Sequence, residues 1–180
     1  MYRYLLSLLL VLMVGCSSKK VETDYNPAFS TDALKTFAVV YQSMEGYDTL
    51  DDERIRGAII REMELKGYEA APQDIADFHV TFQTTVEEDV PSNVSFGFGV
   101  GTFSSGMGTS IGTTHNVTDD KESLLINVVD PKTQKTFWRA EVSDKRRDFR
   151  SPEARSDYFG KTVAAMLKGF PARSSENRSE

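Results

Sequence analysis

Residues 124–142 read LLINVVDPKTQKTFWRAEV. Leu124, Ile126 and Val128 alternate with Leu125, Asn127 and Val129, the period-two pattern of a strand with one buried face. Asp130-Pro131-Lys132-Thr133 is turn chemistry. Thr136 to Val142 resumes as a strand with Trp138, Ala140 and Val142 on one side. Two strands joined by so short a turn make an antiparallel hairpin. Upstream, Phe78, Val80, Phe82, Thr84 and Val86 alternate with His79, Thr81, Gln83 and Thr85, a further half-buried strand. Thr36 to Tyr41 is a short apolar, β-branched and aromatic run that reads as another.

Two helices complete the pattern. Thr49 and Asp52 stand at capping-box spacing, Ile55, Ala58, Ile59 and Met63 recur at helical spacing, and Gly67 supplies the stop. Ser151-Pro152 starts a second helix, with Phe159, Val163, Met166, Leu167 and Phe170 as its apolar stripe and Gly169 at its end. The order β-α-β-β-β-α predicts an α+β two-layer sandwich. A four-stranded, mostly antiparallel or mixed sheet carries both helices on one face.

The chain of 180 residues is ordinary for one domain. Its net charge of −6 argues against nucleic acid as a partner, because phosphate binding needs a basic face. Cys16 is the only cysteine, which excludes an intrachain disulfide and a cysteine-rich metal site. His79 shares the alternate face of its strand with Thr81 and Gln83 and reads as a solvent-side polar residue, and His115 has no second histidine or carboxylate at metal spacing, so neither a metal nor a cofactor is expected. Asp51, Asp52 and Glu53 resemble a catalytic cluster but occupy a first helical turn, where negative charge is favoured. Arg139, Lys145, Arg146, Arg147 and Arg150 run beside Glu141, Asp144 and Asp148. They read as a solvated strand end, with an anionic lipid or glycan contact as the other reading.

Residues 1–15 carry one cation, Arg3, then an apolar run from Leu5 to Val14. This fits an export signal and is too short to span a bilayer. Met13-Val14-Gly15-Cys16 resembles the lipobox of bacterial lipoproteins, which implies cleavage between Gly15 and Cys16 and acylation of the Cys16 thiol. Multiple acyl chains hold a protein firmly to a leaflet. Ser17 stands where an aspartate would resemble an inner-membrane retention signal, which implies the periplasmic side of a Gram-negative outer membrane. Residues 16–24 then read as acylated cysteine and tether, 25–171 as the domain and 172–180 as a flexible tail.

Further segments carry a resemblance of their own. These are Asp24 to Phe29, Arg54-Ile55-Arg56 with Leu65 to Tyr68, Ala76-Asp77-Phe78, Leu124 to Asp130 with Lys135 to Arg139, and Lys168 to Pro171. In order and spacing they are similar to the bacterial lipoprotein family called domain of unknown function 4136. The resemblance implies an envelope location and this fold. It implies no activity and no catalytic residues.

Pro91 to Thr118 contains no Asp, Glu, Lys or Arg and is rich in glycine. It is neither a phosphate loop nor a dinucleotide fingerprint. It reads as a long loop between the second and third strands, or as a docking or self-association element built on Phe96, Phe98, Val100 and Phe103. The expected role is a lipid-anchored envelope protein that binds or scaffolds without catalysis. Its expected partners are the membrane, through acylated Cys16, and an envelope protein or a second copy. The alternative is an oligomeric subunit of an envelope assembly or secretion complex, joined through the Gly/Phe segment. A periplasmic hydrolase would need two carboxylates converging in a cleft.

Overall fold

The computed structural model describes residues 20–41, 47–98 and 113–173, with 89–98 and 113–119 at the level of the backbone. In chain order the elements are β1 (Val21–Tyr25), β2 (Thr36–Val40), α1 (Leu50–Leu65), β3 (Glu69–Ala70), β4 (Phe78–Phe98), β5 (Thr113–Asp130), β6 (Lys135–Lys145) and α2 (Pro152–Leu167). The strands form one open mixed sheet in the order β1-β6-β5-β4-β2-β3. β2 lies parallel to β3 and β4, and the remaining pairs are antiparallel.

The α+β architecture and the β5–β6 hairpin agree with the sequence. The number of strands does not, since the sheet has six strands where four were expected. Both additions are edge strands held by backbone hydrogen bonds. β1 falls partly within the expected tether and has its one aliphatic residue at Val21, and β3 has two residues, so neither shows a period.

Local chemistry explains where the helices begin. The Thr49 hydroxyl accepts from the Asp52 N–H at 3.2 Å, and the Asp52 carboxylate accepts from the Thr49 N–H at 2.8 Å, closing a capping box. At the far end of α1, Gly67 has φ 89°, a conformation glycine adopts without strain. That turn lets the Tyr68 N–H reach the Met63 carbonyl at 3.1 Å. Ser151 caps α2 through the Ala154 N–H. The helix ends at Leu167, so Phe170 lies beyond it and is buried all the same.

The expected faces are buried. Ile55, Ile59 and Met63 of α1 and Phe159, Val163, Met166 and Leu167 of α2 share one core with the sheet residues Phe78, Val80, Ile126, Val128, Trp138 and Ala140. β2 is pinned ahead of β4 by Asp77. Its carboxylate accepts from the N–H groups of Lys35 and Thr36, both at 2.9 Å, and from the Thr36 hydroxyl at 3.0 Å. Desolvation pushes this carboxyl up, but the three hydrogen bonds, with the Lys132 charge, hold it below its ordinary value of 3.8.

A group depressed on folding stabilises above its unfolded pKa and loses that contribution as pH falls through the folded one. Asp77→Ala is therefore expected to lose about 1–2 kcal/mol at neutral pH. The gap to the wild type should narrow at about pH 3, as chemical unfolding at both pH values would measure. An undiminished gap in acid would contradict the role given to Asp77.

Candidate functional site

Two features depart from a plain sandwich, and they lie at opposite ends of the sheet. The first is a projecting ribbon. β2 accompanies β4 only as far as Thr81, opposite Val40, and β6 accompanies β5 up to Lys121, opposite Lys145. One further bond runs from the Arg146 N–H to the Asp120 carbonyl at 2.8 Å. Beyond those rungs β4 and β5 pair with each other alone among the described residues, through Phe98 opposite Thr113. Register shifts fall between Glu87 and Val90 and between Pro91 and Ser95. Both outer edges of the ribbon present backbone donors and acceptors.

Part of the segment expected as a loop is thus strand. Pro91 to Phe98 belongs to β4, and Thr113 to Thr118 to β5. Val94, Phe96 and Phe98 alternate with Ser95 and Gly97, as the extended reading of the segment has it, while Thr113 to Thr118 gives little hydrophobic period. Phe96 stands opposite His115, and Phe98 opposite Thr113. Val100 and Phe103 lie outside the described residues, as do Gly15 and Cys16.

The second feature is an aromatic cleft of about 330 Å³, walled by Tyr25, Asn26, Phe29, Phe137, Trp138 and Phe170. Phe29 stacks on Phe137 with centroids 3.9 Å apart and planes 10° apart. Trp138 meets Phe170 edge-on at 5.4 Å. Tyr25 is 66% exposed. It also borders a neighbouring hollow of about 340 Å³ that reaches Asn127 and Arg139. An exposed ring over a half-apolar hollow, with amide and guanidinium groups at its rim, suits a flat or apolar group with polar edges. The sequence marked Trp138 only as core, because this wall is assembled from three distant segments.

The carboxylates near the helix starts carry structural work. Asp52 is buried in the capping box. Asp51 ties the two helices: its carboxylate accepts from Arg54 Nη1 at 2.8 Å, from Arg155 Nε at 2.7 Å and from Arg155 Nη2. That bond to Asp51 raises the Arg155 guanidinium above its ordinary value. His79 Nε2 lies 2.9 Å from the Gln73 carbonyl oxygen. Among the described residues, no group of three or more His, Cys, Asp or Glu could hold a metal. No helix among them is long and apolar enough to cross a membrane.

Among the described residues these features define an α+β protein with a six-stranded mixed sheet, two helices, an extended ribbon and an aromatic cleft. Residues 21–172 match the family model described as Domain of unknown function (DUF4136), and the chain belongs to that family. The match begins at the first residue of β1. No curated protein matches the chain.

Among solved structures, a PDZ domain protein from Parabacteroides distasonis is 12% identical with a TM-score of 0.52. The alignment covers 87% of this chain and 36% of that one, so this chain spans about a third of that protein. A PelC dodecamer from Paraburkholderia phytofirmans is 16% identical, over 87% of this chain and 100% of that one, with a TM-score of 0.48. A minor lipoprotein from Acinetobacter baumannii is 8% identical, over 74% and 86%, with a TM-score of 0.38. The first likeness extends to the fold alone.

Proposed function

We propose that the protein is a lipid-anchored envelope lipoprotein, held by acylated Cys16 to the periplasmic face of the outer membrane, that acts by binding or scaffolding without chemistry of its own. The observation that carries the reading is the division of the body into two ends. Val21, five residues after Cys16, opens β1 opposite Val142, at the end of the sheet from which the ribbon leaves. Tyr25 stands opposite Trp138 at the other end, where the aromatic cleft opens. An anchor at one end leaves the cleft facing the periplasm, where a partner can reach it. Further support comes from the export signal and Met13-Val14-Gly15-Cys16, read from the sequence, and from the family.

Replacing residues 1–16 by a secretory signal that is cleaved before Ser17 tests this in native cells. A single acyl chain binds a bilayer with a constant of only about 10⁴ M⁻¹, so stable anchoring takes more than one, and losing them all should release the protein. The variant is expected in the soluble periplasmic fraction without metabolic fatty-acid label, and the wild type in the outer-membrane fraction with it. A variant that stays in the membrane, or a wild type that takes no label, would overturn the anchor.

A second reading, an oligomeric subunit joined through the Gly/Phe segment, is favoured by the two open edges of the ribbon. Light scattering on the form beginning at Ser17 tests it, and a strict monomer at high concentration counts against it.

A further inference from the structure

An isolated two-stranded ribbon is marginal in water, so what lies against this one matters. The tether limits the choice. From the Lys121–Lys145 rung to Thr113 the ribbon advances eight residues along β5, about 27 Å at 3.4 Å per residue. Val21 sits opposite Val142, three residues short of Lys145, or about 10 Å below that rung. Cys16 lies five residues before Val21, and that stretch spans at most about 18 Å when fully extended. A lipid on Cys16 can therefore reach about 8 Å past the rung, while the ribbon reaches about 27 Å past it. With the ribbon directed at the leaflet, the tether cannot lift the body far enough for the ribbon to clear it.

The reverse orientation runs the tether back along the β1 edge. It presses the opposite end of the sheet, with the exposed Lys132 and Lys135 and the Asp130 carboxylate bonded into its turn, against the lipid, and it covers the aromatic cleft. The ribbon end is better suited. Pro91 to Thr118 has no ionisable Asp, Glu, Lys or Arg to desolvate. At its base Lys145, Arg146, Arg147 and Arg150 are all exposed, although Arg147 is paired with Asp144 and lies over the Tyr158 ring. Glu87, Glu88, Asp89, Asp119 and Asp120 of the ribbon base, with Asp144 and Asp148, outnumber these cations, so distance and not charge decides.

We infer that the β4–β5 ribbon lies against the same lipid leaflet that holds Cys16, as a second membrane contact that fixes the orientation of the body. This rests on the anchoring proposed above. The contact is interfacial. The open edges of a single ribbon cannot enter hydrocarbon, where their backbone groups would lack partners, but water in the headgroup layer satisfies them. Two contacts, one covalent and one through the ribbon, hold the cleft away from the membrane.

The test uses the full acylated protein in vesicles of phosphatidylethanolamine and phosphatidylglycerol. Because acylation consumes the only native thiol, Ser95→Cys, Asn116→Cys and Glu64→Cys each offer a single site for an environment-sensitive fluorophore. Ser95 and Asn116 face each other in the ribbon, and the exposed Glu64 is near the end of α1 that returns to β3. The protein should float with the vesicles. Both ribbon labels should shift to the blue and be quenched several-fold more by headgroup-nitroxide lipid than the Glu64 label. Flotation with equal quenching at all three sites would overturn the ribbon contact and leave the anchor standing. Failure to float would overturn both. Unlabelled Ser95→Cys thiols that form disulfides between copies under an added oxidant, with ribbon labels that escape lipid quenching, would assign the ribbon to a second copy and overturn the inference.

Discussion

Phe78→Ala is expected to remove about 3–5 kcal/mol of stability, the usual loss for a buried phenylalanine whose cavity does not collapse. The Phe78 side chain is fully buried. Its ring lies 6.1 Å from Phe37, 5.1 Å from Tyr68, 6.4 Å from Phe137 and 5.9 Å from Phe170. Those rings come from β2, from the turn after α1, from β6 and from the segment after α2. No single element can shift to fill the hole without leaving its own partners, so most of the cavity should persist. Domains of this size have about 5–15 kcal/mol in all, so the variant would lose about a fifth or more of its stability. Urea unfolding of the form beginning at Ser17, followed by circular dichroism, measures the change. A loss below about 1 kcal/mol would mean that Phe78 is not the meeting point of the core.

Phe170→Ala comes next, at about 3 kcal/mol, nearer the lower bound because one side of its ring already borders the open cleft. This residue closes the C-terminal segment over α1. Its ring is 5.8 Å from Tyr68 and 5.4 Å from Trp138. Its carbonyl accepts from Lys66 Nζ at 2.7 Å, and the Arg173 N–H donates to the Lys66 carbonyl at 2.9 Å. Burial pushes the Lys66 ammonium below its ordinary value, as expected of a cation held against this segment. The variant should also lose near-ultraviolet signal from Trp138, which a remote destabilisation would leave in place at low denaturant. The Phe78 and Phe170 rings are neighbours 5.9 Å apart, so the double variant should be less destabilised than the two losses added, by about 0.5–3 kcal/mol. Strict additivity would show that the rings do not act as a unit.

Much of this core was legible in advance. Val80, Phe82, Leu124, Ile126, Val128, Ala140 and Val142 are buried as their alternation predicts. Thr49, Asp52, Gly67 and Ser151 mark helix ends as their chemistry predicts. Phe170 continues the apolar spacing of the second helix past its Gly169 end, and it is buried from beyond the last turn. β1 and β3 escaped notice because an edge strand of two to five residues has too few side chains to show a period. Pro91 to Phe98 reads either as loop or as an extended docking element, and its partner strand is not legible because Thr113 to Thr118 pairs through the backbone. The aromatic cleft could not be read at all, since Tyr25, Trp138 and Phe170 are far apart in the chain.

Read alone, the 180 residues determined which face of each central strand is buried and where each helix starts, and they raised the expectation of export and acylation at Cys16. Those properties follow from side chains a few positions apart. Tertiary structure alone decided that two further strands join the sheet, that β4 and β5 run on together past their neighbours, and that the cleft and Val21 occupy opposite ends. Backbone pairing is nearly blind to residue type, and the closeness of distant segments is set by the packing of the whole chain, which no local pattern records.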